Sequence, residues 1–162
     1  GEFGHFPSFD NEVLCHCGKR GCLETEISGM ALHRNLLQSV KEGRQTLLAE
    51  QIMKDEASLT LDDIIDATLK EDLLCIELVE DIGQKLGRYL AGLINLLNPE
   101  MVIIGGSLAR TGDSILQPVK SAVRKYSLMV NRDSAIVLSK LQGKAGVTGA
   151  CLLARKSLFH FG

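Results

Sequence analysis

No long basic run occurs in this chain, and its formal net charge is only −2. This argues against a nucleic-acid surface within these residues, though not in a part of the protein outside them. No apolar run approaches the length of about 20 residues that a membrane span needs. There is no signal peptide, and the five cysteines are unevenly spaced. A disulfide scaffold is thus not expected, and a reducing, cytoplasmic setting is. An initiator Met is also lacking, and the densest motif begins at once. This predicts a fragment or processed chain whose N-terminal portion lies elsewhere, with a cloning scar at Gly1-Glu2-Phe3 as the alternative. What is present suffices for one domain over 1–162 with a real core: 162 residues, 45% of them hydrophobic.

Residues 1–23 carry Gly, Pro and Cys punctuation and read as loop. A helix is expected from Thr25 or Ser28 to about Glu42, with Ile27, Met30, Ala31, Leu36, Leu37 and Val40 as its apolar face and Gly43 as its stop. A short helix is expected at Leu47–Met53. Thr60 with Asp63 resembles a capping box that opens a helix at Asp62–Lys70. The strongest periodicity runs from Asp72 to Leu97, with apolar residues every three or four positions. Gly83 and Gly87 lie one turn apart inside it. Each costs about 1 kcal/mol relative to Ala, which points to another backbone packing closely there. Asn98-Pro99 ends the helix. Met101–Ile104 and Ala135–Leu138 read as buried strands, separated by a helix at about Ser114–Leu128. A Gly-rich entry, Gly143–Gly149, leads into an apolar helix through Cys151–Leu158. Helices alternating with strands predict an α/β fold with a parallel or mixed sheet.

The chemistry concentrates near the start. His5, Cys15, Cys17 and Cys22 fall within eighteen residues. Thiolate and imidazole are the ligands that a structural zinc ion prefers, and such sites use all four tetrahedral positions. Gly18 and Gly21 let the backbone fold tightly enough for Cys22 to return to the ion. His5 arrives from a separate segment, so the metal would staple two loops. His16 competes as a ligand, but it points away if Cys15 and Cys17 both point inward. Two alternatives stand: ordinary reduced cysteines beside an unrelated His, and a redox pair, although Cys-x-Cys spacing is unlike the usual Cys-x-x-Cys. Glu2 and Glu24 bracket the set; their alternative reading is as solvated surface acids.

Glu2-x-Gly4-His5, followed by Cys15-x-Cys17-Gly18-x-x-Gly21-Cys22-x-Glu24, resembles the signature of the ROK family of sugar kinases and sugar-responsive repressors. Asn98-Pro99 followed by MVIIGGS resembles the family's late strand and glycine turn, and Gly146–Ala150 its final helix entry. The chain thus resembles the C-terminal half of a ROK protein. The resemblance implies the C-terminal lobe of the actin-like, ribonuclease-H-like ATPase architecture, with a zinc-stapled loop. It implies that Glu2, His5 and Glu24 bind sugar hydroxyls, His5 giving one ring nitrogen to zinc and the other to sugar. Carboxylates suit such ligands because they accept charge-assisted hydrogen bonds, and metal on one nitrogen fixes an N–H donor on the other. Gly105 and Gly106 would let a nucleotide approach the strand end; a plain tight turn is the alternative. Ser107 departs from the third glycine common in the family's kinases.

The resemblance also implies what to look for and not find. The family's phosphate loop, its catalytic Asp and the repressors' helix-turn-helix belong to the other half. No residue here is assigned as the base that would deprotonate a sugar hydroxyl, and the fragment itself is not expected to be catalytic. Two main readings follow. One is the sugar-sensing effector domain of a ROK transcriptional regulator. It would be dimeric or a higher oligomer and would bind DNA only through a separate N-terminal domain. The other is the C-terminal lobe of an ATP-dependent sugar kinase of the glucokinase or N-acetylhexosamine kinase type. A zinc-stapled dimerisation domain without its own ligand is a third.

Overall fold

A computed structural model describes residues 1–8, 11–131 and 133–159. Its helices are α1 (Glu24–Ile27), α2 (Gly29–Lys41), α3 (Ala49–Lys54), α4 (Leu61–Leu69) and α5 (Leu73–Leu97). Then follow β1 (Met101–Ile104), α6 (Asp113–Tyr126), β2 (Ala135–Leu138) and α7 (Ala145–Phe159). The strands pair in parallel, Met101 opposite Ala135 and Ile104 opposite Leu138. No described helix is long and apolar enough to cross a membrane.

The long helix α5 is the spine. It buries Leu74, Cys75, Val79, Ile82, Leu90 and Ile94 along one stripe, and α6 lies against it. The two glycines sit at that contact. A Cβ on Gly83 would lie 2.9 Å from the Ile115 carbonyl oxygen, and one on Gly87 would lie 2.6 Å from the Val119 carbonyl oxygen. Their helix-propensity cost is therefore offset by a closer helix approach. Asp72 caps α5, accepting from the Cys75 amide at 2.9 Å, while its other oxygen accepts from the Thr46 hydroxyl at 2.7 Å and the Leu47 amide. Burial pushes the Asp72 pKa upward, but these bonds outweigh it and hold the carboxyl below its usual range. Cys75 beside it is buried, its thiol pushed up to about 12 by desolvation. Asn98 ends the helix in the left-handed conformation, φ 43°. Thr60 and Asp63 form the capping box of α4.

Four expectations change. The first long helix does start from Ser28, which caps α2 by accepting from the Ala31 amide at 3.2 Å, but its apolar face differs from the expected one. The buried stripe is Ala31, Leu32 and Leu36, while Met30, which lies off that stripe at 100° per residue, is 65% exposed. β1 is not buried on both faces: Val102 and Ile104 pack on the core, whereas Met101 and Ile103 point outward. A two-stranded sheet covered by helices on one side alternates in burial, as an antiparallel sheet would. α7 starts at Ala145, so Gly146 and Gly149 lie inside it; nothing lies within 4 Å of a Cβ on either. Finally, Cys151, Leu152, Leu153 and Leu158 of α7 are exposed.

Candidate functional site

The N-terminal loops are folded by glycine geometry and short pairings. The Cys15 amide donates to the Lys19 carbonyl at 2.7 Å and the Gly18 amide to the Cys15 carbonyl at 2.9 Å, closing a tight turn with Gly18 at φ 88°. Gly21 is forced twice. Its φ is 71°, and a Cβ there would lie 2.8 Å from the Asn11 carbonyl oxygen. The strand-like segment at Cys22 then pairs with Pro7, and the Leu23 amide donates to the Phe6 carbonyl at 2.9 Å. These bonds carry the Phe3–His5 turn to the side of the cysteine hairpin. Glu26, which the sequence reading did not single out, fastens the same loops by accepting from the Ser8 hydroxyl and the Asn11 amide group.

The four predicted ligands meet. One ligand atom each from His5, Cys15, Cys17 and Cys22 lies within 4.8 Å of every other. His5 Nδ1 is 3.7 Å from Cys15 Sγ, and Cys17 Sγ is 3.6 Å from Cys22 Sγ. A tetrahedral zinc ion with Zn–S bonds of about 2.3 Å needs sulfurs about 3.7 Å apart, so the donor set and its spacing fit that metal. Cys15 and Cys22 are buried and Cys17 is exposed. The Lys19 backbone amide leads in pulling the Cys17 pKa down, whereas burial pushes Cys22 up to about 11. A cation among them would have to displace the Cys22 proton, and binding would be tighter at higher pH. His16 departs from expectation. Its Nδ1 sits 3.8 Å from Cys15 Sγ and its ring stands edge-on to His5, with centroids 5.6 Å apart. The tight turn leaves it beside the cluster instead of pointing away.

The acids occupy different settings. His5 turns Nδ1 to the thiols and Nε2 toward Glu2, whose carboxylate lies 3.9 Å away and is 86% exposed. Glu24, at the start of α1, lays its carboxylate against Gly4. A Cβ on Gly4 would fall onto Glu24 Oε2. The glycine of the first motif is thus needed by the glutamate of the second, a link invisible in the spacing. Among the described residues the Glu24 carboxylate has no hydrogen-bond or ion-pair partner.

Glu24 opens into a cavity of about 360 Å³ whose far wall is Gly105, Gly106 and Ser107. That turn leaves β1 at Ile104, with Gly106 at φ 91° and open space where its Cβ would be. Ser107 starts a 3-10 turn, Ser107–Thr111, in which Arg110 pairs with Asp62 and lies 3.9 Å from Asp66, tying the turn to α4. The structure thus brings the two candidate regions, more than eighty residues apart, to one cavity.

Known proteins resemble this chain in fold and in sequence. A crystal structure of a ROK family transcriptional regulator, homologous to the Escherichia coli MLC protein, superposes with a TM-score of 0.80 at 30% identity, covering 96% of this chain and 38% of that one. A ROK family glucokinase from Streptomyces griseus, in complex with glucose and AMPPNP, superposes at 0.79 and 30% identity, over 96% of this chain and 51% of that one. In sequence, a glucokinase of Halalkalibacterium halodurans is 34% identical over 96% of this chain and 48% of its own length. The DNA-binding transcriptional dual regulator NagC of Escherichia coli is 30% identical over 99% of this chain and 38% of its own length. The chain therefore spans about half or less of the length of these relatives. With the profile of the ROK family matching residues 1–157, the chain belongs to the ROK family.

Proposed function

We propose that residues 1–162 form the sugar-binding lobe of a ROK protein and serve as the sugar-sensing effector domain of a transcriptional regulator. One observation carries the sugar reading: the unpartnered Glu24 carboxylate is held against Gly4, between the Cys/His cluster and an open cavity. In this reading Glu2, His5 and Glu24 accept and donate hydrogen bonds to hexose hydroxyls. His5, Cys15, Cys17 and Cys22 hold Zn²⁺, which supplies a structural cross-link between the two loops when bound. His5 serves both, Nδ1 to the metal and Nε2 to the sugar. Occupancy of the site would bias a two-state arrangement of a cytoplasmic homodimer or higher oligomer, and through it a DNA-binding domain outside these residues. Ser107, placing a side chain in the glycine turn, favours a regulator.

A second reading has its own support. Gly105 and Gly106 face the same cavity as Glu24, as a nucleotide donating a phosphoryl group to a bound sugar would require. This is the C-terminal lobe of an ATP-dependent sugar kinase. Among the described residues of this lobe none is assigned as the catalytic base, so turnover would need residues from elsewhere. The deciding experiment is an assay of the full-length protein for sugar-dependent ADP release beside sugar-dependent DNA binding. The regulator reading expects DNA binding that responds to sugar and no turnover above background; robust turnover overturns it.

A further inference from the structure

The members of the Cys/His cluster are not equivalent. Cys17 is exposed, while Cys15 and Cys22 are buried. Cys15 Sγ faces two imidazoles, with His5 Nδ1 at 3.7 Å and His16 Nδ1 at 3.8 Å. Cys17 Sγ instead faces Cys22 Sγ at 3.6 Å. The chain between them turns through Gly18 at φ 88° and Gly21 at φ 71°, and so returns Cys22 to Cys17. A disulfide sets its sulfurs about 2.0 Å apart, so this pair would have to close by about 1.6 Å. Rotation of the exposed Cys17 side chain can supply a shift of that size. Lys19, also exposed, adds positive charge near Cys17. An accessible sulfur in an electropositive setting is the one an oxidant reaches first, and a thiol poised beside it resolves the product. The remaining cysteines lack this pairing. Among the described residues Cys75 is buried against Thr46, Cys151 is exposed on α7, and neither has a thiol within hydrogen-bond reach.

We infer that Cys17 and Cys22 form a redox modification site, at which a peroxide joins the two sulfurs in a disulfide and the cluster gives up its metal. The inference rests on the reading of a metal held by His5, Cys15, Cys17 and Cys22. In the first step the Cys17 thiolate attacks the peroxide and the O–O bond breaks. Cys17 becomes a sulfenic acid, and hydroxide leaves and takes up a proton. In the second step the Cys22 sulfur attacks the sulfenic sulfur. The S–S bond forms, the S–O bond breaks, and the oxygen leaves as a second water. The two sulfurs give up two electrons in all, and hydrogen peroxide is reduced to two waters. With both thiolates bound to metal, the two protons come from solvent. Two of the four donors are then lost. His5 and Cys15 alone do not complete a tetrahedron, so the cross-link between the Phe3–His5 turn and the cysteine hairpin is released. A dithiol reductant reverses the bridge by exchange.

The test treats the zinc-loaded full-length protein with hydrogen peroxide in stepwise amounts. A zinc-sensitive dye follows release. Peptide mass spectrometry, after free thiols are blocked, locates every oxidised cysteine. One zinc ion per chain should be released as a Cys17–Cys22 disulfide forms, and dithiothreitol with added zinc should restore the starting state. Cys151→Ser removes an exposed competing thiol and should leave both the release and the bridge unchanged. Zinc retained while Cys151 is oxidised overturns the inference and leaves the metal reading intact. So does release accompanied by a bridge that includes Cys15 or Cys151, or by sulfinic acid at Cys17 with no bridge. A full-length protein that folds yet neither holds nor takes up zinc overturns the metal reading and the inference with it.

Discussion

Gly4 shows how much one hydrogen atom in place of a methyl can decide. Its φ is not positive, so backbone freedom does not explain it. The space its Cβ would need is taken by Glu24 Oε2, the far end of a flexible side chain. Gly4→Ala should therefore fold and keep its metal, because the glutamate can swing aside at small cost. Sugar affinity should fall by about tenfold, the loss of roughly one charge-assisted hydrogen bond. Calorimetric titration beside metal analysis and a thermal melt checks this. Unchanged affinity would show that Glu24 does not meet the ligand. The residue types of the Cys/His quartet were legible in the sequence, since three Cys and one His around glycine turns are the donor set that a metal site uses. Glu26 was not, because an acid that fastens neighbouring loops looks in sequence like any surface acid. Nor was the placing of His16: alternation of side-chain direction belongs to extended strands, and Cys15–Lys19 is a turn.

At the scale of elements, the α5–α6 contact is the firmest feature. Gly83 and Gly87 were readable as a close-packing signal, since an interior helix glycine without a turn to serve implies a neighbouring backbone. The structure supplies that neighbour: Ile115, Pro118, Val119 and Ala122 of α6. Gly87→Ala would set a methyl 2.6 Å from the Val119 carbonyl oxygen and 2.7 Å from the Ala122 methyl. The gain in helix propensity, about 1 kcal/mol, is smaller than the cost of prising two backbones apart, about 1–3 kcal/mol. Urea denaturation should show a net loss of up to about 2 kcal/mol; a more stable variant would mean that the helices can part freely. The strands were located correctly by their apolar runs, yet their burial was not. A continuous run such as Met101–Ile104 has the same composition whether one or two faces are covered, and only the packing partners distinguish the cases.

For the whole molecule, the Cys/His cluster and the helical core lie mostly in different stretches of the chain. The four Cys/His side chains fall between His5 and Cys22, whereas the largest buried cluster runs from Leu32 through α2, α4, α5 and α6, with Phe3 packed against it. Chelation of the metal-loaded protein with EDTA should speed amide exchange in residues 1–23 while the amides of α5 keep their protection. Loss of protection throughout would show that the metal holds the whole fold together. Mass-resolved hydrogen exchange with and without the chelator makes the comparison. By itself the sequence determined the helix spine, the pair of short strands, the capping box and the Cys/His set that the fold gathers. Each depends on local spacing, on turn chemistry, or on residue types with few uses. Tertiary structure alone decided which acid lies against which glycine, and that Glu24 shares a cavity with the turn after β1. It also decided that Met30 faces outward while Leu61 packs against Gly29. These are contacts between segments far apart in the chain, and no periodicity within one segment encodes where another will come to rest.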